Sequence, residues 1–143
     1  MATIKLTTGL KVYDIEDERG NIRGQITINP SDLNFFARAK EMKENIEVWV
    51  AEINNLGGTL DDEAIVEKIE EYDRKVKGEI IRVFDDDTTS NIVFGNQNVF
   101  NTYKGVTFVE RFLTAIMPVI QKEIEAEKKN SVARVEKYTK QVR

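Results

Sequence analysis

The sequence predicts an α+β fold, mainly α, with an N-terminal β-hairpin followed by an antiparallel helix hairpin and a third long helix. Two runs of alternating polar and apolar residues around a Gly-Asn turn predict the β-hairpin. Two segments with apolar residues three and four positions apart, joined by a short glycine-containing connection, predict the helix hairpin. A later apolar stripe predicts the third helix. A chain of 143 residues suits one domain.

The β-hairpin is predicted over residues 3–29. Polar and apolar residues alternate from Thr3 and again up to Ile28, and Glu18-Arg19-Gly20-Asn21 between them is typical of a turn. Glycine and asparagine favour a turn because they adopt positive φ at low cost. Gly24 interrupts the second strand, which indicates a bulge or a close backbone contact.

The first helix is predicted from about residue 31 to 56. Asn29-Pro30-Ser31-Asp32 is a helix-start signature, in which Ser31 or Asn29 caps the free N–H groups. Gly57-Gly58 is expected to end the helix. Its apolar and small residues form a heptad stripe that consists of Phe35, Ala39, Met42, Ile46, Trp49, Ile53 and Leu56.

The second helix is predicted over residues 61–84, with its start at Thr59 or Asp61. Because the connection is short, the two helices are expected to pack antiparallel. Gly78 weakens the second helix and would allow a close helix crossing. The apolar stripe of this helix consists of Ile65, Ile69, Tyr72, Val76, Ile80 and Val83.

The segment after the second helix has an irregular pattern. Asp85-Asp86-Asp87 interrupts the helix, and the residues from Asn91 to Gly95 predict one short helical turn closed by the glycine. The following residues, 96–104, are expected to form a polar loop anchored by Phe100 and Tyr103.

The third helix is predicted over residues 106–126, with a bend at Pro118. Residues 1–126 would then form the folded domain, and residues 127–143 a basic C-terminal tail that is either a frayed helix or ordered by a partner. From Lys122 onward the chain has seven Lys or Arg and four Asp or Glu, a net charge of +3 within an overall −4. The tail is either solvated or in contact with an acidic protein surface or nucleic acid. Since the remaining body carries −7, nucleic acid is not expected as the partner of the domain.

Composition excludes most catalytic chemistry. The chain has no cysteine and no histidine, which removes the usual nucleophile–base pairs and the usual zinc ligands. Asp85-Asp86-Asp87 lacks the spacing of a Ca²⁺-binding EF-hand loop, and no glycine-rich segment has the sequence of a phosphate loop. We therefore expect no enzyme, no metal and no cofactor, with a carboxylate or metal enzyme of low activity as a remaining alternative.

The expected location is the cytoplasm. The N-terminus lacks the basic-then-apolar pattern of a secretion signal. No apolar run approaches the roughly 18 residues that a membrane span requires.

Large apolar side chains on the helices have two possible roles. Each is either part of the core or part of a surface that contacts a partner protein or a second copy of the chain. The residues chosen as candidates for protein contact are Phe35, Phe36, Met42, Trp49, Phe108 and Phe112.

The order of several motifs resembles a family of small proteins encoded in the tail-morphogenesis region of phages and prophages of Gram-positive bacteria. The resemblance covers most of the chain. The segments that carry it are Gly24-Gln25-Ile26-Thr27-Ile28-Asn29-Pro30-Ser31-Asp32-Leu33-Asn34-Phe35, Arg38, Val83-Phe84-Asp85, Ile92-Val93-Phe94-Gly95, Asn98-Val99-Phe100 and Val135-Glu136-Lys137-Tyr138-Thr139-Lys140.

This resemblance implies a non-enzymatic tail-assembly chaperone or tail-associated protein in the bacterial host cytoplasm. The implied partner is the tape-measure protein, a very long helical chain that must be covered until the tail tube polymerises around it; self-association into a homo-oligomer is also expected. The alternative is a small phage-encoded inhibitor that binds a host defence protein. Capture of a host protein as sole partner would favour that alternative.

Overall fold

The fold is known from a computed structural model, which describes residues 2–56 and 61–142, with side chains described as far as Val132. It confirms the mainly helical α+β class with an N-terminal hairpin. The elements are β1 (Lys11–Glu16), β2 (Ile22–Ile28), α1 (Leu33–Asn54), α2 (Asp62–Phe84), α3 (Thr89–Phe94), β3 (Thr102–Tyr103), β4 (Val106–Thr107) and α4 (Phe108–Val142).

Strands β1 and β2 form an antiparallel hairpin that is shorter than predicted. Tyr13 lies opposite Ile26 and Ile15 opposite Gly24, and the register then shifts, so that Arg23 bulges. Residues 2–10 precede the strand without regular structure. The strand predicted from residue 3 is therefore wrong over this stretch, because alternation alone does not supply the partner strand that backbone N–H and C=O groups require.

Gly24 confirms the predicted bulge and the predicted close contact. A Cβ atom at this position would lie 2.9 Å from Cγ1 of Ile92 on α3, and its φ is +155°. The glycine thus lets β2 lie directly against α3.

Aspartates begin both long helices of the hairpin. Asp32 accepts a hydrogen bond of 2.8 Å from the N–H of Asn34, so the first cap is Asp32 and neither Ser31 nor Asn29. Asp61 accepts a bond of 2.8 Å from the N–H of Ala64, which confirms Asp61 as one of the two predicted starts of α2. The expected stop at Gly57-Gly58 lies outside the described residues.

Helices α1 and α2 pack antiparallel, as predicted. Arg38 near the start of α1 donates to the carbonyl of Val83 near the end of α2, whereas Glu52 near the end of α1 accepts from the hydroxyl of Tyr72. Gly78 has open space around it, with nothing within 4 Å of a built Cβ. The close helix crossing predicted there is wrong, since the glycine lies on an exposed face.

One hydrophobic core joins β2, the helix hairpin, α3 and the first half of α4. Ser90 fastens α3 to α2 because its hydroxyl donates a hydrogen bond of 2.7 Å to the carbonyl of Lys77. Asp73 of α2 accepts a hydrogen bond of 2.7 Å from the N–H of Val99. The residues with no exposed surface include Ile26, Ile28, Met42, Ile46, Val76, Ile80, Val83, Phe94, Val99, Val109 and Ile120.

The segment between α2 and α4 matches part of the prediction. Asp85 adopts a left-handed conformation and ends α2, and Gly95 ends α3 by donating its N–H to Asn91, both as expected. Phe100 is buried as an anchor, but Tyr103 is 59% exposed and is not one. It belongs instead to the small β3–β4 hairpin, which the sequence did not predict.

Helix α4 continues from Phe108 to Val142, with Pro118 inside it. The helix therefore continues past its predicted end at residue 126. At 1.5 Å per residue its 35 residues span about 52 Å. Burial ends at Ile124, and residues 125–132 are exposed except for the half-buried Glu127. The second half of α4 thus extends past the core.

Candidate protein-interaction surface

Three of the six candidates for protein contact belong to the core. Phe35, Met42 and Phe112 are 3%, 0% and 7% exposed. Phe35 and Phe112 pack edge-on against Phe84, with ring centroids 5.8 and 6.4 Å apart. Because these side chains fill the interior, they offer no area to a partner in this fold.

The other three candidates retain accessible surface. Phe36 is 38% exposed on the outer side of α1. Trp49 and Phe108 are half-buried and pack against the rim of the core. Phe108 continues the aromatic contacts of the interior, since its ring centroid lies 4.8 Å from that of Phe94.

The apolar stripes of α1 and α2 extend beyond the buried part of the core. Residues of the stripes near the start of α1 and the end of α2, such as Met42 and Val83, are completely buried. Towards the connected ends of the same helices the stripe residues are only half-buried. We call this set the distal surface, and it consists of Trp49, Ile53, Ile69 and Tyr72.

A lysine and a glutamate form the polar edge of the distal surface. The ammonium group of Lys75 lies 5.7 Å from the ring centroid of Trp49 and 4.9 Å from that of Tyr72, as in a cation–π contact. The hydroxyl of Tyr72 donates to Glu52, and this bond raises the pKa of the tyrosine. Apolar area with a polar edge is typical of a protein-binding surface.

Exposed valines enlarge the apolar area of the same two helices. Val48 is 55% exposed and Val66 is 54% exposed. Val66 precedes Ile69 by three positions, so the two side chains are neighbours on α2. The distal surface therefore has an accessible apolar neighbour at which it can be probed without disturbing the core.

Some titratable side chains of the described residues make structural contacts. Tyr13 and Lys11 of β1 contact Glu123 of α4 at 2.7 and 2.5 Å, and the bond from Lys11 is the main reason that the pKa of Glu123 is lowered. Asp86 accepts two bonds from Thr88, and the one from the hydroxyl contributes most to its lowered pKa. These contacts fasten the hairpin to α4 and form the turn before α3.

In the part of the chain that the structure describes, no three acidic side chains gather as metal ligands would. None of the helices over the same residues is long and apolar enough to cross a membrane.

Comparison with known proteins gives no assignment. No family model, no curated protein and no solved structure matches the chain.

Sequence reasoning missed three of the four residues of the distal surface as contact candidates. Ile53, Ile69 and Tyr72 were all placed in the helical stripes, but only Trp49 was chosen for contact. The signal was that both stripes continue towards the Gly57-Gly58 connection, where no other element is predicted to cover them.

Proposed function

We propose that this protein is a non-enzymatic binding protein that holds a helical segment of another protein against the distal surface. The observation that carries the proposal is the continuation of two apolar stripes past the buried core. An amphipathic helix binds to such a surface with residues three and four positions apart.

The side chains of the distal surface suit a binding role. Trp49 and Tyr72 present large rigid contact areas, and aromatic residues are enriched among those that dominate binding energy. Ile53 and Ile69 supply aliphatic contacts between them. Because all four are partly packed already, each contributes only part of its area, which favours weak contacts that are repeated along a long client.

We further propose that the client is a long helical phage tail protein of the tape-measure kind, bound in the host cytoplasm before the tail tube assembles. The support for this identity is the resemblance of the segments from Gly24 to Phe35, from Ile92 to Phe100 and from Val135 to Lys140 to tail-region proteins of Gram-positive phages. A charged exterior, with 32% charged residues, suits a protein that keeps an apolar chain in solution.

Co-expression with a phage tape-measure protein tests the proposal. The expected result is a soluble complex that co-purifies. Val66→Glu should weaken it because it places a charge beside Ile69 at an exposed position. Leu33→Glu is the matched control, since Leu33 is 81% exposed on α1 and lies outside the distal surface.

Two results would refute the proposal in different ways. If the tape-measure protein stays insoluble and forms no complex, it is excluded as the bound partner. If Val66→Glu and Leu33→Glu weaken the complex equally, the distal surface is excluded as the binding site. Thermal unfolding of both variants checks that the fold is retained.

A further inference from the structure

A cleft of about 590 Å³ lies between the β1–β2 turn, the β3–β4 hairpin and the start of α4. Three arginines from separate elements line it, together with two aromatic rings. They are Arg19, Arg23, Arg111, Tyr103 and Phe108. None of them belongs to the distal surface.

Arg111 is held in place by aromatic contacts and not by an acidic partner. Its guanidinium carbon lies 4.8 Å from the ring centroid of Phe108 and 5.6 Å from that of Tyr103. One Nη2 contact of 3.5 Å reaches the carbonyl of Asn101, and Nε is buried without an acceptor. A guanidinium group has five donors, so most of its hydrogen-bonding capacity here is unused.

Within the described part of the chain, Arg23 also lacks an acidic partner, whereas Arg19 has one. Among the residues whose side chains are described, neither Arg23 nor Arg111 forms an ion pair within 4 Å. Arg19 pairs with Asp17 at 3.2 Å. Two guanidinium groups without a counter-ion therefore share one cleft in a protein whose net charge is −4.

Two acidic residues, Asp17 and Glu18, line the cleft, one fewer than the arginines. The carboxylate of Asp17 accepts from the N–H groups of Asn21 and Arg19, at 3.1 and 2.9 Å, and the bond from Asn21 is the main cause of its lowered pKa. Asp17 is thus engaged within its own turn. Glu18 also lines the cleft, and Lys104 adds a further positive charge at the β3–β4 turn, 5.4 Å from the ring of Tyr103.

We propose that this cleft binds the carboxylate side chains of an acidic segment of a partner protein. Planar guanidinium groups recognise carboxylates with two parallel hydrogen bonds, and the rings of Tyr103 and Phe108 offer apolar contact to the methylene groups beside them. The volume suits a few side chains and not a folded element. Three arginines against two acidic residues give the cleft a positive charge, which attracts an acidic segment although the net charge of the protein is −4.

The proposal is independent of the client proposed above and is tested with a defined probe. Binding of an end-blocked hexaglutamate peptide is measured by calorimetry at low ionic strength, with hexaglutamine as the neutral control. Hexaglutamate should bind and hexaglutamine should not. The affinity should fall as salt is added, because charges in an open cleft are screened.

Charge-neutral variants locate the site. Arg23→Gln and Arg111→Gln should each weaken hexaglutamate binding by at least about tenfold, which corresponds to the loss of one charged hydrogen-bonding partner. Arg74→Gln is the matched control, since it removes the same charge from an exposed position of α2. Arg23 is itself exposed, so its variant keeps the fold even if the Arg111 variant does not. Val66→Glu should bind hexaglutamate like the unmodified protein.

Three outcomes would overturn the inference. The first is no binding of hexaglutamate to the unmodified protein. The second is an equal loss of affinity in Arg23→Gln and Arg74→Gln, which would indicate general charge attraction. The third is tighter binding of inorganic phosphate than of hexaglutamate, which would identify the cleft as a phosphate site.

Discussion

Replacing Gly24 with alanine is expected to destabilise the fold at the contact between β2 and α3. A Cβ atom would lie 2.9 Å from Cγ1 of Ile92 and 3.1 Å from both Cδ1 and Cγ2. Since three carbons of one branched side chain surround the position, a rotation of Ile92 that moves one carbon away leaves another close. The backbone adds a second cost, because φ is +155°.

The two costs have separate magnitudes. The unusual backbone conformation costs about 1–2 kcal/mol with a side chain present. Forcing a methyl group against Ile92 costs about 1–3 kcal/mol. Gly24→Ala should therefore lower the free energy of unfolding by roughly 2–5 kcal/mol.

A double-mutant cycle separates the costs. In an Ile92→Ala background the methyl group introduced by Gly24→Ala has space, and only the backbone cost remains. The coupling between the two substitutions should then be about 1–3 kcal/mol in the stabilising direction. Urea denaturation followed by circular dichroism gives the four free energies of unfolding that the cycle needs.

A second glycine provides the control. Gly78 lies inside α2 with nothing within 4 Å of a built Cβ, so Gly78→Ala should stabilise the protein by about 0.5–1 kcal/mol. Additive effects of Gly24→Ala and Ile92→Ala would refute the packing argument. A neutral Gly24→Ala would refute both the packing and the backbone argument.

Three further predictions concern single contacts. Asp61→Ala removes the side-chain cap of α2 and should lower the free energy of unfolding, measured by urea denaturation, by about 1 kcal/mol. Asp61→Asn keeps a capping oxygen and should retain most of that stability. Ser90→Ala removes the 2.7 Å hydrogen bond from the Ser90 hydroxyl to the carbonyl of Lys77 and should cost about 0.5–1.5 kcal/mol; an unchanged midpoint would contradict this. Glu123→Gln removes a carboxylate whose pKa is lowered from 4.5, chiefly by the bond from Lys11. The stability that this carboxylate provides is present above 4.5 and is lost as the pH falls through the lowered value. Melting temperatures of Glu123→Gln and the unmodified protein should therefore differ at neutral pH and converge in acid, and a constant difference would contradict the assignment.

The long helices were predictable because their apolar residues repeat with helical spacing over many turns. The predicted starts and ends of α1 and α2 differ from the observed ones by two residues or fewer. The β3–β4 hairpin was missed because two-residue strands are too short to show a period. Its signal was Lys104-Gly105, which both adopt positive φ as a tight hairpin turn requires.

The proposed binding surface was harder to predict than the fold. A stripe identifies the inner side of a helix, but it does not say which part of that side another element will cover. Trp49 and Met42 belong to the same stripe, yet only Met42 is completely buried. The cleft with three arginines depends on segments far apart in the chain, so no local pattern indicates it.

The second half of α4 sets both a distance and a direction. The residues after Ile124 extend about 27 Å along the helix axis, and the salt bridge between Lys11 and Glu123 fixes the point from which they start. Inserting one residue after Ile124 would turn everything beyond it by about 100°, whereas inserting seven would lengthen the helix by about 10 Å and turn its end by only about 20°. A change in the length of this segment therefore also changes the direction in which the residues at its end face.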